Sequence, residues 1–138
     1  MKALIQVYNQ IDNDNIKVFD YKIPFNCPAV TIEVGGNYGI FVDYGQIDTE
    51  DDEFMTMAHE WGHCKTGTTH PIGIDDVIIR KHEYKANRQA VLTFLPFNRL
   101  LDAFKSGCRF PFEIAEHLNL PENFIIMALE HYKAMGKI

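Results

Sequence analysis

The hydrophobic pattern of the chain changes its period near residue 48, and this change constrains the fold more than any other feature. Before it, Val30, Ile32 and Val34 alternate with polar neighbours, as in a half-buried strand. After it, apolar residues recur at helical spacing, beginning with Phe54, Met57, Ala58 and Trp61. A sheet-forming segment followed by helix-forming segments predicts an α+β fold.

The first third of the chain reads mainly as β-structure. A strand is predicted over Ile16–Phe19, and Gly35 and Gly36 separate two further apolar runs near 30–34 and 40–42. Because glycine adopts positive φ without strain, the pattern predicts a hairpin. Residues 1–10 fit either a strand or a helix, and the sequence leaves that choice open.

The rest of the chain carries helix boundaries. Thr49 is suited to cap a helix that ends at Gly67, and a loop with Pro71 and Gly73 leads to a second helix over Asp75–Leu95. Three shorter helices are expected, at Phe97–Lys105, Phe112–Leu118 and Pro121–Met135. The prediction is one domain over residues 1–138, with about 1–47 mainly β, 48–95 holding the two long helices and 96–138 holding the C-terminal helices.

Composition excludes several classes of function. The 138 residues suffice for one domain with its own core, and the net charge of −6 disfavours nucleic acid or an anionic membrane surface as a direct partner. No apolar run approaches the roughly 18 residues that a membrane span needs. Residues 1–6 turn polar too soon for a signal peptide, and three widely spaced cysteines suit a reducing compartment. We therefore expect a cytoplasmic protein.

The chemistry centres on His59-Glu60-Trp61-Gly62-His63, an HExxH motif inside the first long helix. Residues four apart lie on one helix face, about 6 Å apart along the axis, so both imidazoles can bind one ion. Glu60 lies about 100° round the helix, beside the ion. A carboxylate there can take a proton from a water molecule that the ion has acidified.

A third ligand is predicted at Glu83, in the middle of the second long helix. Ala86 and Ala90 follow it at helical spacing, so this face is small enough for the two helices to approach closely. Asn87 is placed to accept a hydrogen bond from a ligating histidine. The competing interpretation is a surface salt bridge, because Lys81, Lys85 and Arg88 lie near Glu83 in the sequence.

The stretches 57–63 and 83–90, followed by Leu95-Pro96, resemble the ImmA/IrrE-type metallopeptidases, whose pattern is an AHExGH helix and an ExxAN helix ending near Leu-Pro. The resemblance covers roughly residues 38–135 and implies a zincin-like fold, with His59, His63 and Glu83 as metal ligands and Glu60 as catalytic base. Trp61 departs from the pattern, since an aliphatic residue is usual there. Several members of this family cleave a helix-turn-helix repressor of a phage, a mobile element or a stress response. The resemblance therefore implies a gluzincin-like endopeptidase whose partner is such a protein substrate.

Zinc suits a site of two histidines and a glutamate, although ligand type also permits Mn2+ or Fe2+. The alternative function is a non-proteolytic binding module or antirepressor that sequesters a regulator, with a structural or vestigial metal. Oligomeric state and substrate identity stay open.

Weaker signals surround these motifs. Tyr44, His70 and His82 are chemically able to stabilise an oxyanion, and the spacing selects none of them. The zincin resemblance suggests that the strand near Tyr38–Asp43 is an edge that pairs with substrate. Cys64 is expected to be a buried structural thiol. The sequence pattern of residues 112–125 is similar to that of a helix-turn-helix, but its acidic character favours a helical pair packed on the core.

Overall fold

A computed structural model describes residues 1–70 and 73–138, so Pro71 in the predicted loop lies outside the described residues. The elements occur in the order α1 (Lys2–Asn13), β1 (Lys17–Asp20), β2 (Ala29–Val34), β3 (Asn37–Val42), α2 (Glu50–Thr66), α3 (Asp76–Phe94), α4 (Phe97–Lys105), α5 (Pro111–Leu118) and α6 (Glu122–Ala134). A short 3-10 turn covers Tyr44–Gln46. The predicted α+β class is confirmed. Within these two described ranges, no helix has the length and apolar character needed to cross a membrane.

The three strands form one sheet in the order β1-β3-β2. β2 and β3 pair antiparallel, with Thr31 opposite Ile40, and the connecting Gly35 and Gly36 have φ of 58° and 84°. The predicted hairpin is therefore confirmed. β1 pairs parallel to β3, with Val18 opposite Ile40.

This topology corrects one expectation about the sheet. The strand near Tyr38–Asp43 is not an edge, because β3 pairs with β1 on one side and with β2 on the other. The edge strands are β1 and β2. The reason is non-local: β1 returns to pair with β3 across a connection that contains β2, which no local pattern encodes.

Residues 1–10, left open by the sequence, lie in α1. Ala3, Val7 and Ile11 recur every four residues and are all buried, so this helix turns one apolar stripe towards the core. The description of residues 1–47 as mainly β is therefore incomplete, since a 12-residue helix precedes the three strands.

The two long helices have the expected boundaries. The Thr49 hydroxyl accepts a hydrogen bond from the Asp52 amide at 3.0 Å, and α2 ends where Gly67 turns left-handed with φ of 65°. Asp75 caps α3 by accepting from the Val77 amide at 2.8 Å. These local interactions explain why the sequence predicted both helices closely.

The C-terminal helices also match, with shifts of one residue at some ends. α4 has the predicted bounds, α5 begins one residue earlier at Pro111, and Pro121 precedes α6 rather than opening it. Residues 112–125 contribute to a helical pair packed on the core, as predicted. Phe124 contacts Phe54 edge to face with centroids 4.9 Å apart, and the Tyr132 hydroxyl donates to the Leu95 carbonyl at 2.7 Å.

Trp61, the residue that departs from the family pattern, anchors α2 in this core. Its ring is 1% exposed and packs on Phe94, with ring centroids 5.0 Å apart. The indole N–H donates to the Asp14 carboxylate at 2.7 Å, just beyond the end of α1. The polar atom of this large side chain is thereby satisfied, and α1 is tied to α2.

Candidate metal centre

Three side chains from α2 and α3 converge on one point. The Nε2 atoms of His59 and His63 are 3.0 Å apart. One carboxylate oxygen of Glu83 is 2.7 Å from His59 Nε2, and the other is 3.0 Å from His63 Nε2. The ligand atoms of these three residues all lie within 4.8 Å of one another, close enough to share one metal ion. We call them the His–His–Glu cluster.

The close approach of α2 and α3 makes this convergence possible. A Cβ atom added to Gly62 would lie 2.2 Å from the main-chain oxygen of Ala86, closer than any ordinary contact. Ala86 and Ala90 are fully buried in the same interface. The two alanines predicted this close approach from the sequence. The role of Gly62 was not predicted, although a glycine inside a helix was an available signal.

The outer nitrogen of each histidine has a partner. His59 Nδ1 lies 2.7 Å from Asn87 Oδ1, the arrangement predicted from the spacing of Glu83 and Asn87. His63 Nδ1 lies 3.0 Å from the hydroxyl of Thr68, which follows the end of α2 and is buried. Such partners fix the ring orientation and direct Nε2 at a bound ion. Thr68 was missed, because its contact depends on the chain reversal at Gly67.

Glu60 lies beside the cluster and is held by the sheet. The Thr31 hydroxyl on edge strand β2 donates a short hydrogen bond to the Glu60 carboxylate. Burial raises the pKa of Glu60, while this hydrogen bond and the neighbouring histidines oppose the rise. Thr31 was also missed, because nothing local relates residues 29 positions apart.

The electrostatics of the cluster are those of an ion pair between imidazole and carboxylate. Burial alone would lower the pKa of His59, but the hydrogen bonds to Glu83 and Asn87 raise it to about 9. The same contacts with both histidines hold the pKa of Glu83 well below its usual range. Glu83 therefore contacts the two histidines rather than serving as the surface salt-bridge residue of the competing interpretation.

The donor set fits a divalent metal ion. Two imidazole nitrogens and one carboxylate, with room for a water molecule, are the ligands of many catalytic zinc sites. Ligand atoms around tetrahedral zinc lie about 3.3 Å apart, given bonds of about 2.0 Å, so the separations in the cluster need only a small expansion. His59, His63 and Glu83 can thus hold a metal without any change in backbone path.

The three candidate oxyanion donors, Tyr44, His70 and His82, do not all lie at the same distance from the metal centre. The Tyr44 hydroxyl lies 3.0 Å from that of Tyr8, which in turn donates to Glu53 at 2.6 Å, so it is engaged in a different network. His70 lies beside the centre, with its ring centroid 6.4 Å from that of His63. The Nδ1 atoms of His70 and His82 are 3.4 Å apart.

Cys64 does not belong to the cluster. Its thiol is buried in the core, and burial raises its pKa to about 12. The expectation of a buried structural thiol is confirmed.

Two cavities flank β2 at the centre. One of about 450 Å³ opens beside His59 and Glu60 and is lined mainly by apolar side chains, including Met55, Phe124 and Met127. Another, of about 360 Å³, is lined by residues 31–33 of β2 together with Thr69 and His70. The first cavity therefore reaches Glu60 and the second reaches Thr31, the two partners of the hydrogen bond between α2 and β2.

Comparison with known proteins yields no matching family model, no matching curated protein and no matching solved structure.

Proposed function

We propose that this chain is a cytoplasmic, metal-dependent endopeptidase of zincin-like fold. The observation that carries the proposal is the joint geometry of four side chains. His59, His63 and Glu83 present ligand atoms to one point, and Glu60 lies next to that point on the same helix as the two histidines. A metal site with an adjacent carboxylate base is the arrangement that metal-assisted hydrolysis requires.

The residues have distinct roles in the proposed reaction. When bound, zinc would supply a Lewis acid that polarises the scissile carbonyl and lowers the pKa of water towards about 7. Glu60 accepts the proton from the attacking water and delivers it to the departing amine. Thr31 orients the Glu60 carboxylate, because its hydroxyl donates a hydrogen bond that ties this carboxylate to strand β2. Asn87 and Thr68 keep the two imidazoles aimed at the ion.

The substrate that suits this centre is a polypeptide in extended form. No strand in the part of the chain that the structure describes pairs with the outer edge of β2, and an extended chain can add to such an edge through main-chain hydrogen bonds. The 450 Å³ cavity beside Glu60 has room for an apolar side chain. The family resemblance leads us to propose a helix-turn-helix transcriptional repressor as the substrate, bound without direct contact with nucleic acid.

The test compares zinc-loaded wild type with Glu60→Gln. The substrates are quenched fluorescent peptides of mixed sequence and a panel of purified helix-turn-helix repressors, with cleavage followed by fluorescence and mass spectrometry. We expect Glu60→Gln to retain about one zinc per chain and to lose at least a hundredfold in cleavage rate, because general-base catalysis contributes about 10²–10⁴-fold. Glu116→Gln is the matched control, since this exposed carboxylate lies on α5, outside the cluster.

Two outcomes would contradict the proposal. Unchanged cleavage by Glu60→Gln would remove the proposed base. A protein that loads with zinc and captures a repressor without cleaving it would favour the binding module or antirepressor instead.

A further inference from the structure

The sheet has one face turned away from the helices, and this outer sheet face is strongly apolar. Along each strand, alternate residues point inwards, where Ile40 and Val42 are fully buried. The opposite side carries apolar residues of the strands and of the connection between β1 and β2. Five of them are between 46% and 71% exposed: Phe19, Tyr21, Phe25, Ile32 and Val34. An exposed cluster of this size is characteristic of an interaction site.

The aromatic side chains of the outer sheet face pack on one another. Phe19 stacks on Phe41 with ring centroids 4.8 Å apart, and Tyr21 meets Phe41 edge to face at 5.8 Å. Gly39 leaves room for this stack, since a Cβ there would approach the Phe19 ring to 3.2 Å. Two hollows of about 290 Å³ each lie on this face, and Ile32 and Phe41 line both. The face therefore offers projecting rings next to depressions that can receive them.

Charge favours a second copy of this chain as the occupant. The chain carries a net charge of −6, so most of its surfaces would repel an identical molecule. Among residues 1–70 and 73–138, Lys17 is the only charged side chain that lines the two hollows, and no acidic side chain lines either of them. Two copies can meet through this face without bringing carboxylates together at its centre.

The area is also sufficient for a dimer. Since a large aromatic side chain buries about 150–250 Å², the three aromatic side chains, each about half exposed, contribute about 300 Å² from each copy, and Ile32 and Val34 bring this to the order of 500 Å². Two copies would then bury about 1,000 Å² from these side chains alone, the lower bound for a specific interface. Sheets that pack face to face across about 10 Å interdigitate their side chains in the same way.

We propose that the outer sheet face is the interface of a twofold homodimer, in which the aromatic rings of one copy fill the hollows of the other. The inference does not depend on the metal or on peptidase activity, because the His–His–Glu cluster lies between α2 and α3.

The test is sedimentation velocity of the full chain from about 1 μM to about 100 μM, a range that spans a micromolar dissociation constant. We expect wild type to approach twice its chain mass of 15.9 kDa at the upper end. Phe25→Asp and Val34→Asp each place a carboxylate on the face and should weaken dimerisation at least about tenfold, since that carboxylate would be buried in an apolar interface without a partner. Phe112→Asp is the matched control, because this exposed phenylalanine lies on α5.

Circular dichroism checks that each variant is folded. Phe25→Asp and Val34→Asp test the face separately, so if one of them does not fold, the other still provides the test. A wild type that stays monomeric at 100 μM would overturn the proposal and assign the face to another occupant. It would be overturned equally if folded Val34→Asp dimerised like wild type, or if Phe112→Asp dissociated the dimer as strongly.

Discussion

Gly62→Ala tests the close approach of α2 and α3 that positions the His–His–Glu cluster. The added Cβ would lie 2.2 Å from the main-chain oxygen of Ala86 and 2.8 Å from its carbonyl carbon. Ordinary contacts begin at about 3.5 Å, so the two helices must separate by about 1 Å at this point. Because the obstructing atoms belong to the main chain, no side-chain rotation relieves the contact, and a second substitution Ala86→Gly should not rescue the variant.

The expected magnitude is a balance of two opposing effects. Alanine is favoured over glycine inside a helix by up to about 1 kcal/mol, which would stabilise the variant. Overpacking a rigid interface costs about 1–3 kcal/mol, and a gap of about 1 Å forfeits up to half of each contact energy along the interface around Ala90. We expect the free energy of unfolding to fall by about 2 kcal/mol. Glu83 moves with α3, and metal–ligand distances tolerate only about 0.2 Å, so zinc affinity should fall at least tenfold.

Urea denaturation of the metal-free protein, followed by circular dichroism, measures the first quantity. Competition with a chromophoric zinc chelator measures the second. Arg80→Ala is the control, because this exposed side chain lies on α3 outside the interface with α2, and surface substitutions usually change stability by less than about 0.5 kcal/mol. A Gly62→Ala variant with wild-type stability and zinc affinity would refute the argument that this glycine sets the helix separation.

Two further predictions concern stability and metal binding. Asp14→Ala leaves the buried indole N–H of Trp61 without its acceptor, so the free energy of unfolding measured by urea denaturation should fall by about 1–2 kcal/mol. Asp12→Ala, which removes an exposed carboxylate nearby, is the control and should change it by less than about 0.5 kcal/mol. Burial raises the pKa of Asp14, but the hydrogen bond from Trp61 outweighs this together with the other contacts and the pKa is lowered. The stability that Asp14 contributes should therefore be present at neutral pH and lost as the pH falls below about 4. A stability difference between wild type and Asp14→Ala that did not change with pH would contradict the assignment. At pH 7.5 zinc binding should release a proton from His59, because the pKa of His59 is raised to about 9 in the metal-free protein and the ligand must be neutral; this proton adds to the one that the zinc-bound water loses. Calorimetry in buffers of different ionisation enthalpy measures the total release, which should fall as the pH rises through about 9, where His59 is neutral before zinc binds, and a release that does not fall between about pH 7.5 and 10 would contradict the assignment.

The local features of the fold were predictable because their causes are local. A threonine hydroxyl caps α2 within three residues, a left-handed glycine ends it, and glycines close the β2–β3 hairpin. The pairing of His59 with His63 follows from helix geometry alone, and the small face around Glu83 indicated that a second helix comes close. A sequence therefore suffices to nominate the ligands of the cluster.

What the sequence left open or predicted wrongly depends on contacts between distant segments. Residues 1–10 are a helix because their apolar stripe is buried by α2, and β3 lies at the centre of the sheet because β1 returns to pair with it. The apolar stripe of α1 recurs locally, but its burial against another helix decided between helix and strand. The central place of β3 is not encoded in any short window, since it comes from pairing across the chain.

The chain's own pattern thus nominated the residues that can hold a metal, because helical periodicity places His59 and His63 on one face of α2 and Glu83 beside small residues on α3. Only the tertiary structure decided what supports them. Thr31 reaches Glu60 from an edge strand, Thr68 orients His63 after a chain reversal, and Gly62 lets two backbones approach. These three contacts join segments whose separation in space is set by packing of the whole domain, and packing is a property of the folded chain rather than of any stretch of sequence.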